Sequence, residues 1–265
     1  MELTIGCTTR PYGKLSFPDA CGYIAAAGYT DVAVFSSGGA VPVRSDVTSD
    51  EAKAVGRIAR DAGLEPSMLI GSTKVDLGVD KATDDYKTLI DRAADMGAKW
   101  LLSCGVGNPD LFGAFYEVMR RCAPHAEQAG LAITLKPHGG ITLTFEDLAK
   151  AYHEVEHPAF GLCFDPGNII YYTKGELRPE PGLDKLDGLL NTGIIKDCVV
   201  EDDKADVMVT PGQGLVDFPK VLAGMVGGGF TGPLYVECVG GTELGEIDAN
   251  VEATLPFVQE IVAAL

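Results

Sequence analysis

The sequence predicts an α/β fold, a (β/α)8 TIM barrel spanning residues 1–265 as a single domain. Three observations point to it. Short apolar runs alternate with segments of helical periodicity along the whole chain, eight times over. The length of 265 residues is close to the ~250 that such a barrel commonly uses. The loop after the first strand, "GCTTRPYGK", lacks the GxGxxG pattern that the main alternative, a doubly wound open sheet, usually carries.

The strands are read in order as "LTIGC" (3–7), "TDVAVF" (30–35), "LEPSMLI" (64–70), "KWLLSC" (99–104), "LAITLK" (131–136), "FGLCFD" (160–165), "TGIIKD" (192–197) and "PLYVEC" (233–238). Between them lie amphipathic segments. "DEAKAVGRIARDAG" (50–63) puts Ala52, Val55, Ile58, Ala59 and Ala62 on one stripe, and "YKTLIDRAADMG" (86–97) behaves likewise. Gly28, Gly63, Gly97 and Gly130 each stand just before a strand, where a left-handed residue ends a helix. The last helix, "EIDANVEATLPFVQEIVAAL", is expected to be interrupted at Pro256.

Composition narrows the function. A net charge of −17, with 21 Lys plus Arg, repels phosphate backbones and argues against nucleic acid. No apolar run approaches the roughly 18 residues of a membrane span, and "MELTIGCTTRPYG" lacks the pattern of a signal peptide. The seven cysteines are odd in number and scattered, several of them (Cys104, Cys163, Cys198, Cys238) in apolar strand contexts, as expected of reduced thiols in a cytoplasmic protein. No CxxC pair is present, which argues against a zinc-thiolate site.

In such barrels the chemistry lies at the C-terminal ends of the strands. Alternation decides which residues point inward there. In the fifth strand Ile133 and Leu135 face the helices, leaving Thr134 and Lys136 inside; the sixth strand turns Cys163 and Asp165 inward, the seventh Ile194 and Lys196, the eighth Tyr235 and Glu237. Four consecutive strands therefore deliver Lys136, Asp165, Lys196 and Glu237 to one rim, followed closely by His138 and Asn168. Two carboxylates and two ammoniums in a half-buried mouth would perturb one another's ionisation, as catalytic groups do. The same four would also serve as a salt-bridge network that closes the mouth. His125, His153 and His157 read as surface residues of helices.

At these strand ends the chain resembles the sugar phosphate isomerase/epimerase superfamily of xylose isomerase-like barrels. "LCFDPGNIIYY" is similar to its sixth-strand segment, "IIKD" to an H-x-K-D segment, "TPGQGLVDFPKVL" to a P-G-E-G loop, and "GFTGPLYVEC" to the last strand, which ends in a metal-binding Glu. The resemblance implies that Asp165 and Glu237 are metal ligands, that Asn168 binds metal or substrate, and that Lys196 contacts substrate. The departures are as specific. Lys136 stands where the family's fifth strand ends in a Glu that is both ligand and acid/base, Ile194 stands in place of the ligand His, and the second strand offers only Ala33 and Val34. The endonuclease branch, rich in histidines, is excluded by four histidines and the charge of −17.

Three readings of the segment "LKPHGG" follow. A divalent cation, Mn²⁺ or Mg²⁺ with Zn²⁺ as a further option, would be held by Asp165, Glu237 and His138. Alternatively the Lys136 ammonium replaces the cation and polarises a substrate oxygen, or as a neutral amine forms a Schiff base. In the third reading the mouth only binds a polyol, as a non-catalytic carbohydrate-binding or accessory subunit. The resemblance implies a small carbohydrate or keto-sugar substrate, proton abstraction beside a carbonyl, and isomerisation, epimerisation or β-elimination as the outcome. Glu237 is then the expected general base, His138 a second acid/base or ligand, Lys136 and Lys196 oxyanion stabilisers, and Tyr171 and Tyr172 a wall for the sugar ring. No membrane or nucleic-acid partner is expected, and a homo-oligomer is compatible with the sequence.

Overall fold

The computed structural model describes residues 3–265. Met1 and Glu2, which open the segment read for a targeting signal, lie outside them. Eight parallel strands close into a barrel: β1 (Ile5–Thr8), β2 (Asp31–Val34), β3 (Glu65–Gly71), β4 (Trp100–Ser103), β5 (Ala132–Leu135), β6 (Phe160–Phe164), β7 (Leu190–Ile195) and β10 (Leu234–Val236). Each strand pairs with its neighbour in chain order, and β10 returns to pair with β1 through Ile5–Leu234 and Cys7–Val236. That last pairing excludes the open sheet.

The helices are α1 (Phe17–Ala26), α2 (Ser49–Asp61), α3 (Val79–Met96), α4 (Phe112–Gln128), α5 (Phe145–Val155), α6 (Pro166–Tyr172), α7 (Phe218–Gly227) and α8 (Leu244–Ala263). Local chemistry starts several of them. Thr48 with Glu51, and Thr144 with Asp147, form capping boxes that satisfy the free N–H groups of α2 and α5. The glycines read as helix stops do adopt positive φ, 91° at Gly28, 86° at Gly63, 102° at Gly97 and 78° at Gly130.

Two readings need correction. Helix α8 is not interrupted at Pro256 but runs through it. Pro256 and the residue one turn before it, Glu252, are both exposed, so the carbonyl that loses its N–H partner faces water. The loop after β7 also holds an antiparallel hairpin, β8 (Val199–Glu201) and β9 (Lys204–Asp206). Its acidic tip, Glu201-Asp202-Asp203, shows none of the apolar alternation by which a strand is read.

Strand phasing agrees with the alternation. Ala33, Phe35, Met68, Leu102, Cys163, Ile194 and Tyr235 pack together inside the barrel, while Ile133, Leu135, Leu162, Phe164, Ile195, Leu234 and Val236 join the larger core between sheet and helices. Thr134 and Thr192 also point inward and share a 2.8 Å hydroxyl hydrogen bond. All seven cysteines are free thiols, six of them buried. No helix among the described residues is long and apolar enough to cross a membrane.

Candidate active site

Lys136, Asp165, Lys196 and Glu237 meet at the C-terminal mouth in a closed ring of alternating charge. The Lys136 ammonium lies 2.6 Å from Glu237 Oε2 and 3.2 Å from Asp165 Oδ2. The Lys196 ammonium lies 2.8 Å from Asp165 Oδ2 and 2.8 Å from Glu237 Oε1. All four side chains are at most 3% exposed.

Local sequence explains the placement. Asp165 follows β6 and caps α6, its Oδ1 accepting from the Asn168 N–H at 3.0 Å, with Pro166 in the first turn. That leaves Oδ2 for the two ammoniums. A Cβ on Gly167 would lie 2.8 Å from the Lys196 carbonyl oxygen and 2.9 Å from that of Asp197, so only glycine lets α6 approach the end of β7. The Asn168 side chain then joins two strands: its Oδ1 accepts from Lys196 at 3.1 Å and its Nδ2 donates to the Pro137 carbonyl at 2.7 Å.

Three further residues bear on this mouth that were not among the expected site residues. Arg10, in the loop after β1, is half-exposed and brings a guanidinium nitrogen within 3.7 Å of Glu237 Oε1. Phe35 presents its ring 5.8 Å from the Lys136 ammonium. Asp197 carries no catalytic geometry but anchors the loop over the mouth. Its two oxygens accept from the backbone N–H groups of Cys198, Gly212, Gly214 and Val216 at 2.8–3.0 Å. A Cβ on Gly214 would lie 2.3 Å from Asp197 Oδ1, which accounts for glycine there. The signal for Asp197 is its place beside an inward lysine; nothing in sequence marks the four N–H groups that converge on it.

His138 stands apart from the ring. Its imidazole is exposed at the lip, and its Nε2 lies 2.9 Å from the Tyr172 hydroxyl. Tyr172 packs on it with ring centroids 4.9 Å apart, and Tyr171 sits edge-on behind Tyr172 beside Lys174 and the β8–β9 hairpin. Of the expected sugar wall, only Tyr172 is therefore joined to the site. His125 pairs with Asp91 at 2.7 Å, and His153 lies in the last turn of α5, whereas His157 falls two residues past that helix, not within it, and accepts from the Ala159 N–H.

Electrostatics sorts the roles. Burial opposes the charge of Lys136, but Glu237 and Asp165 outweigh it and raise its pKa well above that of an ordinary lysine. A Schiff base needs the neutral amine, so that reading is not supported. Burial likewise works against an ionised Glu237, yet Lys136 and Lys196 hold its pKa well below the usual carboxylate range. Crowding at the lip, reinforced by Lys136 and Lys196, lowers the pKa of His138, which favours the neutral ring.

The donor set does not fit a divalent cation. Both oxygens of Asp165 and both of Glu237 already face donors. An ammonium sits between the carboxylates, and the expected third ligand, His138, lies apart from them with its Nε2 bonded to Tyr172. Among the described residues no group of three or more His, Cys, Asp or Glu side chains is arranged to hold a metal ion. The residues expected to hold a metal, Asp165, Glu237 and His138, are thus not gathered around an open space: the Lys136 ammonium lies between the two carboxylates.

Known structures share this architecture. A xylose isomerase-like TIM barrel protein from Mycobacterium smegmatis in complex with magnesium superposes with a TM-score of 0.77 at 18% identity, covering 98% of this chain and 97% of that one. D-psicose 3-epimerase from Clostridium cellulolyticum H10, with D-tagatose, gives 0.77 at 11% identity over 98% and 99% of the two chains. 3-Keto-D-glucoside 4-epimerase from E. coli gives 0.72 at 14% identity over 98% and 100%. At such identities the likeness is one of fold. No curated protein matches in sequence. The profile of one family does match, over residues 21–260 and so over most of the barrel just described, and the chain belongs to that family, the xylose isomerase-like TIM barrels.

Proposed function

We propose that this chain acts on a small sugar or keto-sugar derivative at the C-terminal mouth, moving a proton on the carbon beside a carbonyl as an isomerase or epimerase, with β-elimination its nearest chemical variant. The observation that carries the reading is the pair of ammoniums, Lys136 and Lys196, fixed at 2.6–3.2 Å from two buried carboxylates. Positive charge held in place before reaction is what a developing enediolate oxygen needs, and in a dry site it acts strongly. The family and the sugar epimerases among its structural neighbours support the substrate class.

The roles follow from proton affinity. An efficient base has a pKa near the working pH. Glu237, locked ionised by two ammoniums, is a poor acceptor and serves to hold Lys136 and Lys196 in place. His138, neutral and bonded to the Tyr172 hydroxyl, takes and returns the proton. Asn168 keeps Lys196 aligned, and Arg10 offers a half-exposed cation to an anionic group of the substrate. Seven free thiols suit a reducing compartment, and the cytoplasm is the proposed location.

The near-complete burial of the four charges favours a second reading, in which the ring is a structural closure and the lip binds a sugar without turning it over. Ketoses incubated with the protein in D2O separate the two. Deuterium entering at the carbon beside the carbonyl, detected by NMR and lost in His138→Gln, is the expected result. Saturable sugar binding with no exchange at any carbon would establish the second reading in its place.

A further inference from the structure

We infer that the Lys136 ammonium occupies the place of a divalent cation in this barrel, so that the ring supplies its own positive charge and takes up no metal ion. The inference deepens the proposal above by naming the source of the positive charge. Its test reads ion binding rather than turnover, so either can fail alone.

The argument is one of filled valences. Carboxylates on two different strands that converge on one point usually need a counter-charge between them, because their mutual repulsion is large out of water. Here that point holds an ammonium at 2.6 Å from Glu237 and 3.2 Å from Asp165. The remaining oxygens are taken as well: Asp165 Oδ1 by the Asn168 N–H at 3.0 Å, Glu237 Oε1 by Lys196 at 2.8 Å. A cation entering this space would meet two positive charges and displace four short contacts. It would gain two carboxylates; His138, whose Nε2 is bonded to Tyr172 at 2.9 Å, is not grouped with them. Charge balance agrees. Two lysines and two carboxylates cancel within the ring, and Arg10 at 3.7 Å adds one positive charge. A divalent ion would leave three positive charges in excess at the mouth, where among the described residues Lys136, Lys196 and Arg10 pair with no carboxylate besides Asp165 and Glu237.

The test uses the 265-residue protein, stripped of metal with a chelator and titrated with MnCl2 by calorimetry, with Mn²⁺ electron paramagnetic resonance as a second readout. The parent is expected to bind no stoichiometric Mn²⁺. Lys136→Glu removes the ammonium and adds an oxygen ligand at the same point, and should bind one Mn²⁺ at least about tenfold more tightly than the parent. Lys136→Met, which removes the charge and adds no ligand, should fall between the two and keeps the test valid if the Glu variant fails to fold. One tightly bound Mn²⁺ in the parent, lost in Asp165→Asn, would overturn the inference. So would parent-like indifference to Mn²⁺ in folded Lys136→Glu and Lys136→Met.

Discussion

Glu237 is the residue whose loss should be felt most. Glu237→Gln keeps volume and removes a charge that two buried ammoniums depend on. Breaking one partner of a buried ion pair costs about 3–5 kcal/mol, so the variant should melt well below the parent as well as lose any exchange activity. A parent-like melting temperature would show that the ring contributes little to the fold. His138 makes a different prediction. Because burial and two nearby ammoniums lower its pKa from the ordinary imidazole value of 6.5, the acid limb of the parent's pH–rate profile for deuterium exchange should fall below that value. A limb at or above 6.5 would move the proton transfer to another group. At the opposite end of the barrel, Asp31 is buried, accepts from the Ser67 hydroxyl at 2.6 Å, and has its pKa pushed up from 3.8 to about 6 by burial. The folded protein thus prefers the protonated acid. The contribution is fully present below the unfolded value, and stability is lost as pH rises from about 4 to about 6, by on the order of 3 kcal/mol. Asp31→Asn should be more stable than the parent at pH 7 and show a flatter pH dependence across that window in urea unfolding; equal stability at pH 7 would refute the burial argument.

At the scale of elements, the segment from β7 to α7 depends on one carboxylate. Asp197 receives four backbone N–H groups, and an amide at that position would turn two donors toward them. Asp197→Asn should cost about 3 kcal/mol or more and loosen residues 210–216 first, which hydrogen exchange would register as lost protection at Gly212, Gly214 and Val216. Uniform destabilisation, with no local change there, would make Asp197 an ordinary core residue. This segment also shows the limit of reading strands from sequence. Period-two alternation placed Lys136, Asp165, Lys196 and Glu237 on the inner face, because the residue before each of them, Leu135, Phe164, Ile195 and Val236, is apolar and packs into the core against the helices. The hairpin after β7 and the loop held by Asp197 follow no such period. The geometry of the loop comes from hydrogen bonds that Asp197 accepts from Gly212, Gly214 and Val216, which local sequence does not announce. Pro256 is a related case, where exposure of the affected carbonyl decided the outcome and the residue type alone did not.

Over the whole molecule the acidic excess is a standing repulsion. A net charge of −17 on 265 residues should be relieved by salt, so the melting temperature is expected to rise between ~10 mM and ~150 mM NaCl, as calorimetry would show. A fall would mean that surface ion pairs, such as Arg121 with Asp80 and Glu117, dominate the balance. The barrel itself was legible because eight strands and four glycine stops repeat one instruction, whereas the state of the mouth was not. Which residues face one another across a closed barrel, and which of them touch, depends on side-chain conformations that no spacing encodes; Arg10 joins Glu237 from a loop more than two hundred positions away. The ring also sets a rule of parity. Neutralising one member strands its complement, but neutralising two adjacent members leaves a matched pair, here Asp165 and Lys196 at 2.8 Å. The double variant Lys136→Met with Glu237→Gln should therefore melt higher than the sum of the two single losses allows, with a coupling on the order of 1–3 kcal/mol. Charges can leave this mouth in twos at small cost and singly only at great cost, so a lineage would gain or lose the arrangement in paired steps, each half-step being the least stable protein along the way.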